Sequence, residues 1–290
     1  MKNLILATTA LTALAGAAAA GGLERTPQSM AILFEEGRYL ELSFGIVAPD
    51  VSGVLGAPSG DMLSTYSNLG VAYKADLNDQ LSYAVIFDQP YGADTDYPTG
   101  TGNPFAGSTA KVRSNAISTV LQYNLDNGAS VYGGPRFQTL QAEAFLPPVG
   151  GYTVESDTNF ALGYLVGAAY ERPDIALRVS LTYHSKTTHD LELTEVLGAT
   201  TVTTQDVELP QALNLEFQSG VAEDTLVFGS VRWAEWSATV IDPPVYDGAT
   251  GAAPPLVFFT DDRITYTLGV GRRLNDTWSV LGSVSYEDTT

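Results

Sequence analysis

Three observations predict an all-β fold, an antiparallel transmembrane β-barrel of about 12 strands. Apolar and polar side chains alternate with a period of two along most of the chain, the start carries an export signal, and no later apolar run is long enough for a spanning helix. The clearest alternation is Pro173 to Ser185, PDIALRVSLTYHS. Ile175, Leu177, Val179, Leu181 and Tyr183 share one face of an extended chain, and Asp174, Ala176, Arg178, Ser180, Thr182 and His184 share the other. One face suits lipid and the other an internal cavity; a soluble sandwich or lipocalin-like barrel is the structural rival, with its apolar face turned inward.

Residues 1–20 read as a signal peptide, with Lys2 and Asn3 before the apolar run Leu4 to Leu14 and the small-residue tail Ala15 to Ala20. The chain has no Cys, so neither a lipid anchor nor a disulfide supports it. With 14 Lys and Arg against 33 Asp and Glu, the formal net charge is −19, which argues against a nucleic-acid partner. Without spanning helices, every membrane-crossing backbone group has to be paired within a closed sheet.

Residues 21–37 precede the first clear alternation. On their own residues they read equally as a tail, an edge segment or a plug, although Ile32, Leu33 and Phe34 give them an apolar anchor. Residues 38–290 form the predicted barrel. Its first strand is Arg38 to Ala48, followed by a Pro/Gly/Asp-rich loop and then strands at Tyr66 to Lys74 and Gln80 to Asp88, joined by the turn ADLNDQ. The stretch from Gln89 to Ala110 reads as a long outer loop. The fourth strand, Val112 to Leu125, turns at Asp126-Asn127-Gly128 into the fifth, Ala129 to Ala142, where Gly133, Gly134 and Pro135 predict a bulge or kink that shapes or opens the wall. After a second outer loop at Phe145 to Gly151, the sixth strand spans Asn159 to Glu171 and the strand centred on Leu181 is the seventh. The eighth is a brief alternation, Thr188 to Glu195, followed by a Thr-rich loop to Val207. Strands nine to twelve are Gln211 to Val221, Thr225 to Thr239, Arg263 to Arg272 and Thr277 to Tyr286. Trp233 and Trp236 are three apart, so a regular strand points them to opposite faces.

With these elements in place, the sequence resembles the outer-membrane long-chain fatty acid and hydrocarbon transporter family, which includes the fatty acid and toluene transporters of Gram-negative bacteria. The resemblance is carried by LPQALNLEFQSGVAEDTLVFGSVRWAEWS at Leu209 to Ser237, which contains the motif residues Trp233, Trp236 and Ser237, and by LTYHSK at Leu181 to Lys186. The start GGLERTPQSMAILFEEGRYLELSFG resembles a branch with a short N-terminal hatch. The family has fourteen strands, a hatch inside the barrel and a lateral opening in the wall. The resemblance therefore implies a plug at residues 21–37 and a final hairpin missing after Thr290, and no Asn-Pro-Ala opening motif is present.

The implied function is passive uptake of fatty acids or other hydrophobic small molecules, with a diffusion porin for hydrophilic solutes as the alternative. The implied setting is the outer membrane of a Gram-negative bacterium, as a monomer among lipid and lipopolysaccharide. Candidate capture residues are Leu33, Phe34, Phe105, Phe145, Phe258 and Phe259, each weighed against ordinary loop packing. Arg25 and Arg178 are candidate attractors of a carboxylate, against simple pairing with the abundant acids. His184 and Ser185 are adjacent on a strand and point to opposite faces, so no catalytic pair is read there, and two His without Cys predict neither a metal nor a cofactor. No enzyme is expected.

Overall fold

The computed structural model describes residues 23–251, 253–275 and 277–288, so the export signal expected at residues 1–20 lies outside them. In chain order the strands are β1 (Tyr39–Val47), β2 (Val54–Leu55), β3 (Ala57–Pro58), β4 (Tyr66–Asp76), β5 (Leu81–Asp88), β6 (Gly92–Asp96), β7 (Thr109–Asn124), β8 (Ala129–Leu146), β9 (Tyr152–Ser156) and β10 (Asn159–Arg172). They continue as β11 (Leu177–His184), β12 (Thr187–Leu197), β13 (Ala199–Leu209), β14 (Ala212–Ala222), β15 (Thr225–Ala234), β16 (Val240–Ile241), β17 (Val257–Phe258), β18 (Arg263–Arg273) and β19 (Ser279–Glu287). A short helix, α1 (Pro244–Thr250), lies between β16 and β17.

One antiparallel sheet organises the chain, in the order β1-β4-β5-β7-β8-β10-β11-β14-β15-β18-β19. Every neighbour on this path follows the last in sequence, as in an up-and-down meander. Side chains sort by face as period two requires. Phe44 and Phe160 are 69% and 76% exposed on one face, whereas Ala84 and Val120 are fully buried on the other. A continuous apolar band on an exposed face, opposite Ser82, Ser118, Gln122, Thr182 and Asn214, is the pattern of a wall between lipid and a polar interior.

The path has eleven strands among the described residues, one fewer than expected. The eighth predicted strand is not a separate wall strand. β11 and β12 do not pair with each other; β11 pairs with β10 while β12 pairs with β9, and β9 and β10 are themselves consecutive. Ser185 keeps the chain running in one direction, since its N–H donates to the Tyr164 carbonyl at 2.9 Å and its Oγ accepts from the Tyr164 N–H at 2.9 Å. The expected Thr-rich loop is strand β13, which pairs along its full length with β12; β-branched Thr suits a pleated surface. Pro210, which has no N–H to donate, separates β13 from β14.

Gly133 to Pro135 do not open the wall. They pair with β10 without interruption; pairing with β7 lapses only at Gly134 and Pro135, and the register is the same before and after that lapse. Gly134 is required by a close approach, because a Cβ there would lie 1.8 Å from the Thr119 carbonyl oxygen.

Two apolar clusters fill the covered face. Met30, Ile32 and Leu33, in or beside a 3-10 turn at Ala31–Phe34, pack against Ala84, Val120 and Leu165. Toward the long connections, Leu140, Tyr152, Leu191, Leu193, Leu209 and Trp236 form a second core. The covered face expected to be polar is thus mixed, with two apolar clusters among its buried Ser, Thr, Gln and Asn side chains.

Candidate functional site

The sheet has a bounded gap. β4 pairs with β5 only from Val71↔Phe87 to Asp76↔Ser82, and its outer residues Tyr66 to Gly70 pair only with β1. Beyond the gap, Leu63 bridges Thr95, with Ser64 N–H donating to the Asp94 carbonyl at 2.9 Å. Between these two points the chain at Gln89-Pro90-Tyr91 leaves the wall and pairs with the N-terminal segment instead. Arg25 N–H donates to the Pro90 carbonyl at 2.8 Å, Gly92 N–H donates to the Leu23 carbonyl at 2.7 Å, and Glu24 bridges Tyr91. Gly92 permits this approach, since a Cβ would sit 2.6 Å from Arg25.

A cavity of about 380 Å³ lies at this gap. Residues Arg25 to Ile32 line one side, and β1, β4 and β5 line the other, including Asn68, Leu69, Gly70, Ile86, Phe87 and Asp88 where pairing stops.

Polar contacts hold the N-terminal segment in place. Glu24 accepts from Arg232 Nε at 2.9 Å and from Arg232 Nη2 at 2.7 Å, and both side chains are buried. Arg232 Nη1 donates to Asn214 Oδ1 at 2.5 Å, and Asn214 Nδ2 donates to the Pro27 carbonyl at 3.0 Å. Ser29 Oγ donates to Glu216 at 2.6 Å. Thr26 Oγ1 donates to Asp88 at 3.3 Å, and Asp88 is in turn 3.2 Å from Arg136. Lys74 Nζ donates to the Glu35 carbonyl at 2.6 Å. A buried charge without a partner is costly, so each matched pair favours this one seating of the segment.

The residues singled out in the sequence fall in several places. Leu33 is buried, and Phe34 meets Tyr132 edge-on at 6.2 Å between centroids while the Arg178 guanidinium lies 4.7 Å over its ring. Arg25 pairs with Asp94 at 2.7 Å and lies 4.1 Å over the Tyr66 ring. Phe259 packs on Trp236 at 5.0 Å, and Trp236 also meets Tyr91 at 5.4 Å. Phe105 is beside Tyr97 in an outer loop, and Phe145 and Phe258 are exposed. Trp233 Nε1 and Ser237 Oγ both donate to Asp262, at 3.1 and 2.5 Å. Trp233 is half-buried on β15, which ends at Ala234 and not at Thr239 as expected, and Trp236 is fully buried in a 3-10 turn after it, so the strand-face argument made for the pair does not apply.

Sequence reasoning missed Glu24, Gln28, Asn68, Gln89 and Arg232, which surround the gap or anchor the segment. The only local signal was Pro90, which ends a clean alternation. It also missed Glu195. This fully buried carboxylate accepts from Tyr152 Oη at 2.6 Å, Thr203 Oγ1 at 2.5 Å, and the N–H groups of Val245 and Tyr246 at 3.0 and 3.2 Å, tying α1 to β12. Among the described residues, no group of three or more His, Asp or Glu side chains is placed to hold a metal ion.

Solved structures share this arrangement at low identity, so the likeness is one of fold. A FadL homologue from Pseudomonas aeruginosa is 15% identical with a TM-score of 0.66, covering 96% of this chain and 80% of that one. The toluene transporter TbuX of Ralstonia pickettii is 15% identical with a TM-score of 0.62, covering 96% and 86%. The toluene transporter TodX of Pseudomonas putida is 13% identical with a TM-score of 0.54, covering 87% and 73%. No curated protein matches the sequence. The model of one family matches residues 7–290, nearly the whole chain. The chain therefore belongs to the outer membrane protein transport protein family (OMPP1/FadL/TodX), a family of transport proteins rather than enzymes.

Proposed function

We propose that the protein carries hydrophobic small molecules passively across the outer membrane and releases them sideways through the gap between β4 and the β5–β6 line. The observation that carries this reading is the cavity of about 380 Å³ at the bounded stretch where β4 and β5 stop pairing. A solute moving from water into such a cavity gains about 25 cal/mol per Å² of apolar surface buried. An exit at the height of the apolar band delivers it to lipid without crossing an aqueous space.

In this reading residues 21–37 act as the plug, Leu33 and Phe34 fix its inner end, and Phe105, Phe145, Phe258 and Phe259 belong to the outer capture region. Arg25 and Arg178 hold the plug through their contacts with Asp94 and Phe34. The sheet closes as a barrel, with short turns such as Asp126-Asn127-Gly128 toward the periplasm and long connections outside. It works as a monomer surrounded by outer-membrane lipid and lipopolysaccharide.

The test is uptake into liposomes or whole cells with fatty acids, alkylbenzenes and small sugars as a matched set. The intact protein is expected to take up at least one hydrophobic class saturably and to pass little sugar. Ser43→Phe, which fills the cavity from β1, should reduce that uptake about tenfold, and deletion of residues 22–35 should admit sugar. Unselective sugar flux through the intact protein, without hydrophobic uptake, would establish the porin alternative instead.

A further inference from the structure

Arg178 differs from the other arginines of the interior. Arg25, Arg136 and Arg232 are paired with Asp94, Asp88 and Glu24, whereas among the described residues Arg178 makes no hydrogen bond and no ion pair. Its guanidinium lies 4.7 Å over the Phe34 ring, a contact that uses the charge and none of the N–H donors. Those nitrogens retain accessible surface beside a second cavity, of about 190 Å³, at the short turns joining β10 to β11 and β14 to β15. This cavity shares no residue with the one at the gap.

Acids line the same cavity without meeting Arg178. Glu35 and Glu171 both interact with the guanidinium through space, and neither carboxylate has a hydrogen-bond partner. Lys74, the other cation acting on them, is committed to Asp76 and to the Glu35 carbonyl. Glu216, which also acts on Arg178, already accepts from Ser29. Asp224 is bound to Arg273, and Glu36 and Arg272 are exposed, where water and salt screen them. Leu177, Leu226 and Leu281 supply an apolar wall. The cavity thus holds free donors and free carboxylates that are too far apart to pair. A simple anion would satisfy Arg178 and be repelled by Glu35 and Glu171, while a simple cation would satisfy the acids and be repelled by Arg178.

We infer that this cavity binds a small zwitterion with an apolar group, such as a hydrophobic amino acid. The carboxylate accepts from Arg178, the ammonium donates to Glu35 and Glu171, and the apolar group rests on Leu177, Leu226 and Leu281. Each charge of the ligand then meets its opposite, and charge-assisted hydrogen bonds of this kind are about twice as strong as neutral ones. Arg178 shares the covered face with Ser180 and Thr182, so the ligand arrives from water and not from the bilayer.

The experiment is calorimetric titration of the full chain in lipid nanodiscs with L-phenylalanine, phenylpropionate and phenethylamine, which share one apolar group, at about pH 7.5, where Glu35 is mostly ionised and phenylalanine carries both charges. Phenylalanine is expected to bind at least about tenfold more tightly than either of the others. Arg178→Met should weaken phenylalanine about tenfold and leave phenethylamine as tight or tighter. Glu35→Gln combined with Glu171→Gln should weaken phenylalanine about tenfold and leave phenylpropionate as tight or tighter. Misfolding cannot produce this crossed pattern, because it weakens all three ligands together. Phenylpropionate or phenethylamine binding most tightly, phenylalanine unaffected by the variants, all three ligands weakened equally by both, or no phenylalanine binding by the unaltered protein would overturn the inference. None of these outcomes touches the transport reading, which rests on the other cavity.

Discussion

The backbone N–H of Leu69 donates to the Gln89 side-chain carbonyl at 3.0 Å, at a point where a regular sheet would offer the carbonyl of the next strand. Gln89 Nε2 then donates to Asn115 Oδ1 at 3.2 Å, so one side chain spans the edge of the gap from β4 to β7. Backbone groups left unpaired next to lipid are expensive, which explains why a polar side chain sits there. Gln89→Leu should remove about 1 kcal/mol of local protection. Amide exchange at Leu69 should accelerate about fivefold, with that at Tyr73 unchanged. Equal acceleration at both would show that Gln89 supports the whole strand and not the gap.

Glu24 and Arg232 form the most deeply buried ion pair of the N-terminal segment. Arg232→Met leaves the Glu24 carboxylate buried and unmatched and should cost about 3–5 kcal/mol of stability. Adding Glu24→Gln should recover a large part of that loss, because the uncompensated charge is gone. Denaturation midpoints in detergent or lipid measure both. Additive losses in the double variant would contradict a direct coupling.

Glu195 gathers four donors, two of them backbone N–H groups at the start of α1. Glu195→Ala should release the segment around α1 and cost at least about 2 kcal/mol. Limited proteolysis should cut between Asp242 and Phe259 in the variant, while the strands stay protected. An unchanged cleavage pattern would mean that the Trp236 and Phe259 packing holds the segment by itself.

Glu35, between the 3-10 turn and β1, has its carboxyl pushed up to about 7, chiefly by burial, with the Arg178 guanidinium opposing. Burial favours the neutral acid in the folded protein. The stabilisation is therefore complete below the ordinary value of 4.5 and is lost as pH rises through about 7. Exchange protection of Leu33 and Phe34, corrected for intrinsic rates, should be greater at about pH 5 than at about pH 8. Glu35→Gln should flatten the difference. A pH dependence retained in that variant would assign it to another group.

The strands follow from a local property. Period two in sequence is period two in space, so Leu177 to His184 declared its two faces before any partner was known, and the exposed apolar band followed from the same rule. The interruption between β11 and β12 was not legible, because a hairpin and a two-residue bulge both allow a change at Ser185-Lys186, and only the Tyr164 backbone decides between them.

By itself the sequence determined the all-β class and the exposed apolar faces of most strands, both of which depend on residues within a few positions of each other. Only the tertiary structure decided the site. Glu24 meets Arg232 across 208 positions and Ser29 meets Glu216 across 187, and no local pattern encodes such partners. The gap was hidden for the same reason. Gln89 to Gly92 leave β4 because the N-terminal segment offers competing backbone partners inside the sheet, and that competition exists only once both ends of the segment are in place.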